Sequence, residues 1–261
     1  SYANRYWRCW EPQGHGSLDL AGAIQHSCDV YFYQLGLKIG LERLLQEGTT
    51  NIGMSRQCGV DLPEEKAGIF PADANFWQNR FGYSPNESEV LSLAIGQGPN
   101  SQTPLKMAQF YTALARDGSS PAPSFFIGRQ DEAEGFELKL NAEGIEALRQ
   151  GMRQVVGRGG TAYMSSLPYW DLMGKSGTGQ NSLSLQGLAD DHAWFAAIAG
   201  PRGKPPEIVV VTLVEFGGGG SAVAAPIAAK AADLYLRRKY GVPVDTIQTL
   251  REHRITGRPI R

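Results

Sequence analysis

Three runs near the end of the chain, Asp171–Thr178, His192–Gly200 and Glu207–Phe216, constrain its fold more than any other feature. Each is apolar or alternating, of strand length, and closed by turn residues. The last two are joined by Gly200-Pro201-Arg202-Gly203-Lys204-Pro205-Pro206. A link that short suits an antiparallel hairpin and not a parallel crossover. After Gly217–Gly220, read as a flexible turn, the alanine-rich stretch from Ala222 to Lys239 predicts a helix packed back onto the sheet.

The earlier part reads as helical. Leu18 to Gly40 forms two pieces meeting near Ser27-Cys28-Asp29, with Ser27 or Asp29 as the N-cap of the second. Leu41 to Glu47 is a short helix closed by Gly48. Asn51 to Pro85, rich in Gly, Pro, Asn and aromatics, predicts a long ordered excursion with little regular structure. Pro104 opens a helix through Arg116 as a first-turn proline. Pro121 to Glu137 is a turn-rich insert, and Ala142 to Val156 has helical periodicity. The fold class expected is α+β, a small antiparallel sheet flanked by helices with a helical subdomain.

The formal charge of −1 over 261 residues, with no Lys/Arg tract, argues against nucleic acid or an anionic membrane as partner. The longest apolar run, Ile208–Val214, is too short to span a bilayer. The chain opens without Met on an aromatic, basic stretch, Ser1 to Trp10, and is expected to be a piece of something longer. Cys9, Cys28 and Cys58 show neither a metal spacing nor an even disulfide set. Cys9 and Cys58 are free to bridge in an oxidising compartment; otherwise the three read as buried or half-buried thiols. No cofactor or metal is expected.

Several motifs fail on inspection. Gly174-Lys175-Ser176 lacks the upstream glycine of a phosphate loop, since position 169 is Tyr169. His26, Ser27 and Asp29 are chain neighbours that cannot easily aim at one another as a triad, and no Gly-x-Ser-x-Gly elbow occurs. His192 beside Asp190 and Asp191 reads as a solvated turn. What survives is Ser27-x-Asp29 paired with Lys175-Ser176-Gly177-Thr178. An ammonium, two hydroxyls and a side-chain-free backbone on an edge strand suit a substrate carboxylate beside a scissile amide.

In these motifs the chain resembles the transpeptidase domain of penicillin-binding proteins, whose pattern is Ser-x-x-Lys, Ser-x-Asn and Lys-Thr/Ser-Gly. Further stretches keep the family's order: Ala94-Ile95-Gly96-Gln97-Gly98, Thr103-Pro104, Gly160-Thr161-Ala162 and Asp191-His192-Ala193-Trp194-Phe195. Ser-Cys-Asp-Val-Tyr-Phe-Tyr and His-Ala-Trp-Phe are similar to the elongation-specific class B branch, penicillin-binding protein 2. Two departures stand out. Asp29 replaces the usual Asn, and no Ser-x-x-Lys occurs in the 261 residues, so the nucleophile is expected outside this chain.

The resemblance implies a β-lactamase/transpeptidase-like fold, with a helical part over about 17–160 and the sheet with its covering helix over about 165–240. It implies D,D-transpeptidase chemistry on peptidoglycan stem peptides ending in D-Ala-D-Ala, with β-lactams as inhibitors. Ser27 would relay a proton, Asp29 would bond the substrate or the missing Lys, and Lys175 would supply positive potential. Ser176 and Thr178 would hold the carboxylate, Gly177 would let the substrate lie flat, and the Thr178 N–H would be an oxyanion donor. The setting implied is the periplasmic face of the bacterial inner membrane, anchored by an N-terminal segment. The partners implied are a glycan-polymerising membrane enzyme and rod-shape scaffold proteins. The alternatives are a serine β-lactamase or carboxypeptidase, for which no base to activate a deacylating water is evident, and a non-catalytic β-lactam-sensing or structural module.

Overall fold

The computed structural model describes residues 6–127 and 135–244. In chain order it forms helices α1 (Leu20–Gln25), α2 (Asp29–Ile39), α3 (Leu41–Gln46), α4 (Asn75–Phe81), α5 (Glu87–Ala94) and α6 (Pro104–Ala115). A small pair follows, β1 (Ser119–Ser120) with β2 (Phe136–Glu137), then helix α7 (Ala142–Val156). Strands β3 (Trp170–Gly179), β4 (His192–Pro201) and β5 (Ile208–Val214) make an antiparallel sheet in the order β3-β4-β5, and α8 (Ala224–Tyr240) ends the described chain. The architecture is the expected α+β one. Among the described residues no helix is long and apolar enough to cross a membrane.

Side chains alternate across a strand, so β3 shows which helix covers each face of the sheet. The Trp170 indole donates to Asp233 of α8 at 2.9 Å. Its neighbour Asp171 pairs with Arg153 of α7 at 3.3 Å. Thus α8 lies on one face and α7 on the other, and Lys175 shares the α7 face. Ala224, Ala225, Ala228, Ala229 and Ala232 are all buried, so α8 approaches closely through a stripe of small side chains. On β4, Phe195, Ala197 and Ile198 are fully buried. A Cβ on Gly174 would stand 2.4 Å from the Phe195 ring, so only glycine leaves room for that ring beside Lys175.

Outside the candidate site the structure departs from the sequence reading in three notable places. Within the stretch expected to be irregular, α4 forms around Trp77, which is fully buried with Phe70 and Leu45 in a second apolar cluster. Tertiary burial holds that helix, together with the Asp73 carboxylate, which accepts from Asn75 N–H at 2.8 Å at its start. The chain after α3 passes Gly48 in a π turn, Glu47–Asn51, instead of stopping there. Gly220 is packed and not loose: a Cβ there would lie 2.3 Å from the carbonyls of Gly177 and Trp194.

Candidate active site

Helix α1 is short, and two contacts hold it. The Asp19 carboxylate accepts from Gly22 N–H at 2.8 Å, and Gly151 of α7 lets Ile24 seat where a Cβ would come within 2.8 Å. It ends in a Schellman cap: Cys28 N–H reaches Ala23 O at 3.0 Å and Ser27 N–H reaches Ile24 O at 3.2 Å. Ser27 takes the left-handed position that this cap normally gives to glycine, at φ 48. A non-glycine residue there costs about 1–2 kcal/mol, strain of the kind stored at functional sites. Ser27 and Asp29 therefore do not cap α2 as expected; Cys28 holds the N-cap position with no side-chain bond, and Asp29 lies in the first turn. Trp10 clamps the kink, its indole N–H donating to the carbonyls of His26 (2.9 Å) and Ser27 (3.1 Å). Its backbone N–H donates to Asp29 at 3.2 Å.

The kink aims Ser27 at the sheet. Lys175 Nζ donates to Ser27 Oγ and, at 2.7 Å, to the Ser176 carbonyl. Two motifs distant in sequence thus meet through their side chains. Burial destabilises the ammonium and brings the Lys175 pKa down to about 8, with the Asp29 charge opposing the shift. Burial likewise raises the Asp29 carboxyl, against the Trp10 N–H and the Lys175 charge.

Strand β3 is a sheet edge. The Thr178 carbonyl accepts from the Gln97 side chain at 2.7 Å, so it points away from β4. In an antiparallel ladder a residue's N–H and C=O face the same side, so the Thr178 N–H also faces outward. Gly177 lies flat on Trp194, whose Cβ is 3.3 Å from where a Gly177 Cβ would stand. Ser27, Asp29, Lys175, Ser176, Gly177 and Thr178 all line one cleft of about 1050 Å³. The arrangement offers a hydroxyl hydrogen-bonded to a cation of lowered pKa, beside an open strand edge carrying two more hydroxyls.

Other titratable groups are used differently. His192 Nδ1 accepts from Phe216 N–H at 3.0 Å and so anchors the loop before α8. The His26 ring stacks on His15 at 5.2 Å instead of reaching Ser27. Cys58 lies apart, buried, with its thiol pushed up to about 11, and no cysteine is in a disulfide. Cys9, His15 and Cys28, which carry no metal spacing in the sequence, bring their ligand atoms within 4.8 Å of one another, Cys28 being the chain neighbour of Ser27. Two thiols and an imidazole are a donor set that could hold zinc. The sequence signal was missed because spacings of six and thirteen residues match no short chelating motif, and only the fold of the N-terminal segment closes them. The Trp10 clamp escapes the sequence for the same reason.

The chain is similar to known proteins over most of its length. A family model described as "Penicillin binding protein transpeptidase domain" matches residues 1–233. The Haemophilus influenzae protein named peptidoglycan D,D-transpeptidase MrdA is 32% identical, covering 98% of this chain and 43% of its own length. The Escherichia coli K12 protein of the same name is 28% identical over 85% of this chain and 38% of its own length. Among solved structures, Pseudomonas aeruginosa PBP2 in complex with WCK 5153 superposes with a TM-score of 0.79 at 29% identity, over 93% of this chain and 54% of that one. Helicobacter pylori PBP2, in its complex with MreC, gives 0.76 at 33% identity, over 90% and 43%. The chain spans about two-fifths of the length of these curated relatives.

Proposed function

The chain belongs to the penicillin-binding protein transpeptidase domain family, and we propose that it forms the substrate-binding and proton-relay half of a peptidoglycan D,D-transpeptidase. The observation that carries this reading is the Lys175–Ser27 hydrogen bond, with Asp29 beside it and the open edge of β3 in the same cleft. The acylated serine comes from a Ser-x-x-Lys outside these residues.

In the first step that serine's Oγ attacks the carbonyl carbon of the D-Ala–D-Ala amide. Its proton goes to the lysine of its own motif and on through the Ser27 hydroxyl to the leaving D-Ala nitrogen as the C–N bond breaks. In the second step a neighbouring strand's amine attacks the ester, and the same relay runs in reverse. Lys175 holds the relay hydroxyl and presents positive potential to the terminal carboxylate, which Ser176 and Thr178 bind. The Thr178 N–H faces the developing oxyanion. A lost donor of that kind costs about 2.7–4 kcal/mol in the transition state. A β-lactam enters as a mimic of the dipeptide and stays on the serine. We place the chain on the extracytoplasmic side of a bacterial inner membrane, working with a glycan-polymerising enzyme and rod-shape scaffold proteins. The resemblance to a PBP2 solved with MreC and to a peptidoglycan synthase complex supports this.

The lowered pKa of Lys175 gives the test. Below about pH 8 it is the ammonium; above, burial leaves it neutral and the attraction for the carboxylate is lost. In a chain extended to include the Ser-x-x-Lys, the second-order rate of acylation by benzylpenicillin is expected to fall with a midpoint near pH 8. Lys175→Arg, which keeps its charge, should remove that limb. A rate that is flat from pH 7 to 9 contradicts the role given to Lys175.

A further inference from the structure

Gln97 is held more firmly than a loop glutamine needs to be. It follows α5 in a second Schellman cap: Gly96, at φ +78, donates to Leu93 O at 3.0 Å, and Gln97 N–H donates to Ser92 O at 2.9 Å. Gly98 on its other side is also left-handed, at φ +76. From this fixed point the side chain reaches across the cleft to the edge of β3. Its Nε2 donates to Thr178 O at 2.7 Å, and its Oε1 accepts from Gln180 N–H at 3.3 Å. One carboxamide meets an outward carbonyl and an outward N–H two residues apart. A peptide laid along this edge as an added strand would offer the same donor and acceptor.

We propose that Gln97 is a specificity-determining residue. Its carboxamide occupies the edge position that an acyl donor's own amide would take, so a donor presenting an amide N–H to Thr178 O has to displace it. A donor without that amide leaves it in place. The inference rests on the transpeptidase reading and adds to it a residue that sorts donors by their amide. Ser27 and Lys175 act on every donor alike; Gln97 distinguishes among them.

The test compares two β-lactams on the chain extended to carry its Ser-x-x-Lys. Benzylpenicillin has an acylamino N–H; a carbapenem carries a hydroxyethyl group in its place. Gln97→Ala removes the competing contact for the first compound only. The ratio of the two acylation rate constants, benzylpenicillin over carbapenem, should rise roughly threefold to tenfold, the range of one neutral hydrogen bond. Gln97→Met, which keeps the length without the amide, should do the same and covers the case in which alanine loosens the loop. An unchanged ratio in both variants, with the two rates equal to the parent's or falling together, overturns the inference: Gln97 would then only brace the strand. If neither compound acylates the unsubstituted extended chain, the transpeptidase reading itself fails and takes this inference with it.

Discussion

Replacing Lys175 with Ala in a chain that carries the serine nucleophile is expected to slow acylation by about 10²–10⁴-fold, the range for losing a positioned proton-transfer group, because Lys175 holds the Ser27 hydroxyl that relays the proton. The side chain makes two contacts that alanine cannot: it holds the Ser27 hydroxyl and it ties to the Ser176 carbonyl. Without it the half-buried Asp29 carboxyl also loses the Lys175 charge that favours its ionised form and moves further toward the neutral form. Ser27→Ala should cost a similar factor, because the relay needs both ends of the same bond. The double variant should then be little worse than the more damaging single one, the non-additivity of groups acting as a unit. Stopped-flow acylation of the three variants checks this. Single effects that multiply would mean that Lys175 and Ser27 act separately, against the geometry.

The largest effect on stability is expected at Phe195. Its ring is fully buried in the middle strand and rests where a Gly174 side chain would be. Truncation to Ala would remove the ring without any neighbour to replace it, since Gly174 has no side chain and the facing helix offers mostly alanines. A loss of about 3–5 kcal/mol is expected from urea unfolding, the usual range for a buried aromatic. The change would also free the segment that carries Lys175, so acylation should fall with stability. A loss below about 1 kcal/mol would show that the sheet closes over the gap and that Gly174 is not needed for the ring.

These residues show what could be read in advance. The sheet and α8 were legible because period-two apolar runs closed by Gly and Pro carry their own boundaries: β4 and β5 fall within two residues of the runs seen in the sequence. Helix α6 was legible from Pro104 as a first-turn residue, and the structure adds Thr103 as its cap, accepting from Lys106 N–H at 3.1 Å. The pairing of Ser27 with Lys175 was legible only through the family pattern, since nothing local joins them. Helix α4 was hidden because its short Asn75–Phe81 stretch carries no periodic stripe and depends on the burial of Trp77. The left-handed Ser27 was hidden because glycine is the usual signal for that turn. The Cys9, His15 and Cys28 cluster, the Trp10 clamp and the Gln97 contact were hidden because each depends on segments that meet only in the folded chain.

The central claim is that these residues complete a transpeptidase whose serine lies outside them. The most direct measurement is covalent labelling by a fluorescent penicillin, read on a denaturing gel, of the 261-residue chain beside one extended upstream through a Ser-x-x-Lys. Label on the extended chain alone, abolished when the motif's serine becomes alanine, is the predicted result. Label on the 261-residue chain would place the nucleophile elsewhere and undo the roles given to Ser27 and Lys175, and label on neither form would contradict the account as a whole.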